Sequence, residues 1–305
     1  MIQFLTSDHR TGKLQQATSH RSDTWIRSER PTDDEKTVLL SFGLDESILA
    51  DALDPHEVPR AEVEDDWTYF ITRLPDTDDD FNDFTTPILF AISSHSIATI
   101  SRDPLGRLWQ PFIDTTRAST TQKVPFFIAM MEGIMLQYQR RVATINRQMR
   151  AATSDVQLLR SKDISTLTEY ERKLNDYLDA LIPTNTAIKK LLGGKMLVLT
   201  EDDRDMVEDL GIDLEQVIAR CKSLLRTITN LRDSYRAVMD TRLNETIRLL
   251  TVITLALTIP TMLAGLLGMN VALPINEKSP LVFLGVIIIS LISAVSLSVF
   301  FLRRK

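Results

Sequence analysis

The fold is decided by two apolar stretches, IRLLTVITLALTIPTMLAGLL at residues 247–267 and LVFLGVIIISLISAVSLSVFFL at residues 281–302. Each has roughly the 20 residues that an α-helix needs to cross a hydrocarbon core about 30 Å thick. The second contains no ionisable residue and stops at the basic tail Arg303-Arg304-Lys305. We therefore predict two transmembrane helices, with a buried helical hairpin in a large soluble protein as the alternative.

Basic residues indicate how these helices would be oriented. Arg242 and Arg248 stand at the start of the first stretch, and the basic tail follows the second. By the positive-inside rule both chain ends then lie in the cytosol of a two-pass cell-membrane protein, and residues 271–280 form an outer loop. The first residues lack the basic segment, apolar run and cleavage site of a signal peptide, so the soluble part is expected to stay cytosolic.

The soluble part of the chain is strongly acidic. From residue 247 onward there are five Lys or Arg and one Glu, a net charge of +4, so the total of −6 leaves −10 for residues 1–246. This argues against nucleic acid as a partner, because phosphates require clustered Lys and Arg. It suits a protein that meets cations, although ordinary solubility also explains it. Cys221 is the single cysteine, which excludes a disulfide framework or a thiolate zinc site within one subunit and fits a reducing cytosol.

The chain carries no enzyme signature. Gly193-Gly194-Lys195 lacks the earlier glycine and the following Ser or Thr of a phosphate-binding loop, so no bound nucleotide is expected. The histidines show no metal-ligand spacing and are expected to be ordinary surface or core residues: His9, His20, His56 and His95.

A long helix precedes the first apolar stretch and runs into it. Neither Pro nor Gly interrupts residues 212–259, so one continuous rod is predicted. Apolar residues recur at alternating spacings of three and four, the heptad seam of a helix that packs lengthwise on others. The seam consists of Leu214, Val217, Cys221, Leu224, Ile228, Leu231, Tyr235 and Val238.

Another face of the same helix carries a stripe of small and polar residues, hereafter the polar stripe. Its members are Asp233, Ala237, Asp240, Asn244, Ile247, Thr251, Thr254, Thr258, Thr261, Gly265 and Gly268. Small residues and threonines inside membrane spans also serve as close helix contacts, which is the alternative. Acids below the membrane and hydroxyls within it are what a cation path requires. Two helices cannot enclose a pore, so several subunits would have to surround an axis and repeat this face.

The first stretch ends in Pro260-Thr-Met-Leu-Ala-Gly265-Leu-Leu-Gly268-Met269-Asn270. A Gly-Met-Asn tripeptide at the outer end of the penultimate membrane helix, before a short loop and a last helix with a basic tail, resembles the CorA magnesium-transporter family. The resemblance is specific from about residue 214 onward and general before it. It implies a funnel of five subunits lined by the long helix.

The family resemblance also assigns roles to individual residues. Gly268, Met269 and Asn270 would form the selectivity filter at the outer mouth, with Asn244, Thr261 and Gly265 along the pore and Asp233 near its inner end. Neutral amide oxygens of Asn270 can accept hydrogen bonds from the water shell of Mg²⁺, an ion that dehydrates reluctantly. A carboxylate would hold the ion longer, whereas conduction requires release.

Two departures from the family pattern leave the transported ion open. Leu267 stands where the family usually has Tyr, and the loop ALPINE at residues 272–277 replaces the usual Met-Pro-Glu-Leu. Glu277 is a candidate for the entrance, or a solvated loop charge. Zinc-transporting relatives share the general plan, so Zn²⁺ is an alternative to Mg²⁺.

The soluble part is predicted to be α/β. Alternating apolar runs indicate strands at residues 67–74, 87–92 and 96–101, and helices are expected at 32–42 and 45–53. Further helices are predicted at 126–149 and 155–192, as an antiparallel hairpin, the second helix being interrupted near Pro183.

Acidic clusters in this part have two interpretations. They comprise Glu62, Glu64, Asp65 and Asp66, and then Asp76, Asp78, Asp79, Asp80 and Asp83. Solvated loops are one interpretation. The family resemblance suggests the other: cytosolic divalent cations, bound between neighbouring subunits, hold the closed state. The sequence does not identify those ligands.

The predicted fold class is a cytosolic α/β domain followed by long helices and two transmembrane helices, in a funnel-shaped homo-oligomer. The predicted segments are an α/β domain at 1–115, a helical hairpin region at 116–200, the cytosolic part of the long helix at 201–246, a first transmembrane helix at 247–270, an outer loop at 271–280, a second transmembrane helix at 281–302 and a basic tail at 303–305.

The predicted function is gated influx of hydrated Mg²⁺ through a homopentamer in membrane lipid, with Co²⁺ and Ni²⁺ as further ions and cytosolic Mg²⁺ as regulator. The alternatives are a Zn²⁺ transporter of the same superfamily and a membrane-anchored sensor or scaffold that transports nothing.

Overall fold

A computed structural model describes residues 1–8, 13–77, 83–105, 109, 113, 119–152, 161–269 and 280–303. The chain folds into two compact units, Met1–Leu231 and Arg232–Lys305. Each unit is described by itself below.

The first unit is built on a mixed sheet with the strand order β2-β1-β3-β7-β6-β5-β4. The strands are β1 (Ile2–Ser7), β2 (Leu14–Ala17), β3 (Thr24–Glu29), β4 (Arg60–Glu64), β5 (Trp67–Thr77), β6 (Asp83–Ile92) and β7 (Ser96–Ser101). β3 and β7 pair in parallel, with Trp25 opposite Ile97, and the other pairs are antiparallel. The predicted strands at 67–74, 87–92 and 96–101 are present as β5, β6 and β7.

The described residues include six helices. They are α1 (Asp33–Ser41), α2 (Glu46–Asp51), α3 (Lys123–Ala152), α4 (Ser161–Leu192), α5 (Glu201–Leu267) and α6 (Pro280–Arg303). Side chains fix the starts of the two short ones. Thr32 and Glu35 exchange hydrogen bonds in a capping box before α1, and the Asp45 carboxylate accepts the Ile48 N–H at the start of α2.

Both faces of the sheet are covered, because successive side chains in a strand point to opposite sides. Phe70 and Phe90 belong to one apolar cluster, which also contains residues of α3, α4 and the first part of α5. Ile71 and Leu89, their neighbours in sequence, belong to the second cluster with α1 and α2. The predicted α/β class is therefore confirmed, with a sheet between two helical layers.

The heptad seam packs within its own subunit. Leu214, Val217, Cys221, Leu224 and Ile228 are all buried in the cluster that includes α3 and α4. The predicted lengthwise packing of this part of the long helix is thus satisfied inside the first unit.

The predicted interruption near Pro183 is wrong, since α4 continues through this residue to Leu192. Proline lacks the N–H that would bond the Asp179 carbonyl, but Asp179 is exposed, so water can replace that bond. Thr184 then anchors the next position to the sheet through Thr72. α5 likewise continues through Pro260 to Leu267, as predicted for one rod.

Candidate functional site

The end of α5 and all of α6 are long and apolar enough to cross a membrane. Only 6% of the most apolar 18-residue window of each is buried, so their Leu, Ile and Val side chains are mostly exposed. The helix of a hairpin buried in a soluble core would be mostly covered. The two exposed apolar helices fit a two-pass membrane protein, because hydrocarbon lipid is the environment that such side chains require.

The polar stripe lies on one side of α5 within the second unit. With 3.6 residues per turn, its members fall within about 140° of the helix surface. Every one of them, from Asp233 to Gly268, is exposed. By contrast, Val252 is buried and Ile259 and Leu263 are half-buried, and these three lie on another side of the helix. The stripe is therefore not used for packing inside this unit.

The stripe threonines present oxygen lone pairs outward. The hydroxyl of each donates to the carbonyl oxygen four residues earlier, at 2.8 Å for Thr251, 2.8 Å for Thr254, 2.7 Å for Thr258 and 2.8 Å for Thr261. A hydroxyl has one proton and two lone pairs, so what remains after this bond is acceptor capacity. An acceptor surface suits the positive hydrogens of water bound to a cation.

The intracellular end of the predicted path, as the sequence orients it, carries mixed charge. Asp233, Asp240 and Asn244 are exposed, and the Asp233 Oδ1 atom lies 3.7 Å from Nη1 of Arg236. The sequence pattern does not include Arg236 in the polar stripe, because the alternating spacing goes from Asp233 directly to Ala237. A check for charge on both i+3 and i+4 neighbours would have found it.

The described part of the Gly-Met-Asn motif follows the last turn of α5. The Gly268 N–H donates to the Ala264 carbonyl at 3.0 Å, and the Met269 N–H donates to the Leu266 carbonyl at 3.4 Å. A Cβ on Gly268 would lie 3.3 Å from the Ala264 oxygen, so a larger residue would require a shift of a few tenths of an ångström there. Asn270 and Glu277 lie outside the described residues, so their predicted roles remain predictions.

The acidic clusters do not converge where they are described. Glu62 pairs with Arg60 at 3.1 Å, and Glu64, Asp65 and Asp66 are exposed. Asp78, Asp79 and Asp80 lie outside the described residues. Within the described ranges, no group of three or more His, Cys, Asp or Glu side chains could hold a metal ion.

The remaining sequence features have local structural roles. Gly194, at φ 70°, follows the end of α4, and its N–H donates to the Leu191 carbonyl. His20 Nε2 lies 2.8 Å from Ser96 Oγ, and burial lowers the His20 pKa. His56 and His95 are exposed, and His9 lies outside the described residues.

Comparison with known proteins identifies a relative of this chain. A curated relative, the cobalt/magnesium transport protein CorA of Methanocaldococcus jannaschii, is 24% identical over 254 residues, which cover 81% of this chain and 79% of the relative.

Two solved structures have similar folds. The complete structure of the CorA magnesium transporter from Methanocaldococcus jannaschii matches with a TM-score of 0.84 at 20% identity, over 100% of this chain and 98% of that one. The ZntB cytoplasmic domain from Vibrio parahaemolyticus matches with a TM-score of 0.65 at 13% identity, over 78% of this chain and 98% of that domain.

The family comparison covers nearly the whole chain. The model of the family described as CorA-like Mg2+ transporter protein matches residues 22–304, which include most of the sheet, the long helix and both candidate membrane helices. The chain therefore belongs to the CorA-like Mg²⁺ transporter family.

Proposed function

We propose that this protein is a gated, channel-like transporter that admits hydrated Mg²⁺ to the cytosol, with Co²⁺ and Ni²⁺ as further ions. The observation that carries the proposal is the exposed polar stripe on α5 in a chain of this family. In a transporter the stripe would contact the moving ion, because hydrated cations require oxygen acceptors along their path. The relative that bears the name cobalt/magnesium transport protein supports the choice of ion.

The proposed assembly is a homopentamer in the cell membrane. One copy of α5 exposes the stripe on a single side, so a closed path needs the same face from several copies around an axis. The basic residues at the ends of the spans support a cytosolic position for both termini. Entry is then driven by the membrane potential, because a divalent ion gains about 2 × 2.3 kcal/mol per 100 mV, and no nucleotide is required.

The proposed filter is Gly268, Met269 and Asn270, with Asn270 contacting the ion through its hydration water and Glu277 near the entrance. The remaining path follows the polar stripe from Gly265 to Asp233. Ring-like repetition of neutral amides would bind a hydrated divalent ion weakly enough for release.

Two alternatives compete with Mg²⁺ influx. One is Zn²⁺ transport, and the likeness to a ZntB domain does not favour it, because that likeness covers 78% of this chain at 13% identity and shows fold alone. A non-transporting sensor or scaffold has no use for an exposed line of acids, amides and hydroxyls on its membrane helix.

Regulation by cytosolic divalent cations is a further part of the proposal. The described ranges of one subunit hold no metal-binding group of three side chains. Ligands shared between neighbouring subunits would supply such a group, and bound ions would favour the closed state only if they bind it more tightly than the open state.

Mg²⁺ uptake into proteoliposomes that contain a Mg²⁺-sensitive dye tests the proposal. Replacing Asn270→Ala is expected to abolish uptake while the oligomer, measured by size-exclusion chromatography, stays intact. Asn276→Ala, the same change in the adjacent loop, is the matched control and should retain uptake. Competition by Zn²⁺, Co²⁺ and Ni²⁺ in the same vesicles ranks the ions. Unchanged uptake in the Asn270 variant would reject the filter, and no uptake by the unaltered protein would favour the scaffold.

A further inference from the structure

Arg236 is a basic residue in the sector of the helix surface that carries the polar stripe. It follows Asp233 by three residues, which places it about 60° around the helix from Asp233 and inside the stripe's sector. Its side chain is 70% exposed and that of Asp233 is 63% exposed, so both face open space in the single subunit. Arg236 therefore shares the surface that the proposed path requires.

The two charges are close without being hydrogen-bonded. Asp233 Oδ1 and Arg236 Nη1 are 3.7 Å apart, within ion-pair distance but beyond a normal N–H···O bond. A pair of this kind on an open surface is weak and can be separated by a competing cation. A hydrated divalent ion at Asp233 must therefore compete with the guanidinium for the same carboxylate.

We propose that Arg236 sets the strength of the cation-attracting field at the inner end of the path, by offsetting the charge of Asp233. This inference rests on the proposed function, because it matters only if the stripe faces the moving ion. With Arg236 in place, the charged side chains Asp233, Arg236 and Asp240 give each copy one net negative charge in this sector instead of two. Weaker attraction between this sector and the cation speeds the release of the ion, but it also slows capture of the ion at low Mg²⁺ concentration.

The next basic residues along the helix on either side, Arg232 and Arg242, do not duplicate this position. Arg232 is half-buried, lies at the border of the stripe and has interactions of its own. Arg242 is exposed but lies about 180° around the helix from Asp233, and it too has interactions of its own. Arg242 therefore provides a matched control: the same charge, on the same helix, facing the opposite way.

The test measures the initial rate of Mg²⁺ uptake into proteoliposomes in which the cytosolic end of the path faces the bath, at subsaturating Mg²⁺ and low ionic strength, so that the inner end captures the ion. Arg236→Gln should raise the rate by about twofold or more, and the gain should shrink at high salt, where charges are screened within a few ångströms. Arg236→Lys keeps the charge and should restore the original rate. Arg242→Gln should leave the rate unchanged.

A second set of variants tests whether the effect of Arg236→Gln on the uptake rate depends on Asp233. In an Asp233→Asn background, the gain from Arg236→Gln should be smaller than in the unaltered protein, since no carboxylate is released. Equal rates for Arg236→Gln and Arg242→Gln, or a gain that is indifferent to salt, would overturn the inference. If Asn270→Ala and Asp233→Asn also leave uptake unchanged, the proposed path along the stripe fails as well, and if the unaltered protein shows no uptake the proposed function fails; if those two variants lower uptake, only the role of Arg236 is lost.

Discussion

Thr72 of β5 and Thr184 of α4 are joined by a hydrogen bond of 2.8 Å between their hydroxyl oxygens, and both residues are buried. Thr184 also donates its single hydroxyl proton to the Ala180 carbonyl at 2.8 Å, so Thr72 must be the donor to Thr184. This bond ties the sheet to α4 one residue after Pro183.

Replacing Thr184→Val should destabilise the protein by about 1–3 kcal/mol, because the buried Thr72 hydroxyl loses its acceptor while the volume of the site hardly changes. Thermal unfolding of the full chain in detergent, followed by circular dichroism, measures the loss. Thr186→Val is the control, since Thr186 is exposed and its hydroxyl bonds the Ile182 carbonyl four residues earlier.

The double variant Thr72→Val with Thr184→Val separates the two causes of destabilisation. Removing both partners leaves no buried hydroxyl unpaired at this site, so much of the lost stability should return. A Thr184 variant as stable as the Thr186 variant would contradict the assigned role of this hydrogen bond.

The local patterns of the soluble part predicted some elements and missed others for a physical reason. Alternating apolar runs in the sequence marked β5, β6 and β7, whereas β1 to β4 went unpredicted. β2 is a four-residue edge strand with two glutamines, and it buries no side chain. β3 pairs in parallel with β7 through Trp25 and Ile97, 72 positions apart, and a local pattern carries no information about so distant a partner.

Helix periodicity alone predicted which residues of the candidate site share one face of α5. The spacing of Asp233, Asn244 and Thr261 placed them on one face, and the structure leaves that face exposed. The proposed effect of Arg236 depends on the distance between two side-chain atoms, which sequence spacing does not give. How copies of α5 surround an axis depends on contacts between chains, so it stays a proposal.

Gly268→Ala should reduce Mg²⁺ uptake, because the new methyl group would stand 3.3 Å from the Ala264 carbonyl oxygen and shift the backbone before Asn270 by a few tenths of an ångström. The measurement is the initial uptake rate in proteoliposomes at saturating Mg²⁺. Gly285→Ala in α6 is the control, since nothing among the described residues, apart from its two chain neighbours and the backbone of its own helix, lies within 4 Å of a Cβ built there. Equal uptake by the two variants would show that the close approach at Gly268 is irrelevant to transport.

Cysteine substitution can test whether the polar stripe faces water. The native thiol provides a silent background: Cys221 is fully buried, and burial raises its pKa to about 12, so it stays protonated and shielded at neutral pH. Thr251→Cys places a thiol on the stripe, and Leu249→Cys places one about 160° away at nearly the same depth. Both positions are exposed in the single subunit.

A membrane-impermeant, cationic thiosulfonate should react with the Thr251→Cys variant and block Mg²⁺ uptake, because a thiol needs water to ionise and the added positive charge repels the next ion. The Leu249→Cys variant should neither react nor lose uptake if that side faces lipid. Mass spectrometry of the labelled protein measures reaction, and dye-loaded vesicles measure uptake. Reaction at Leu249→Cys with none at Thr251→Cys would show that the stripe faces lipid, and it would contradict a conducting path along α5.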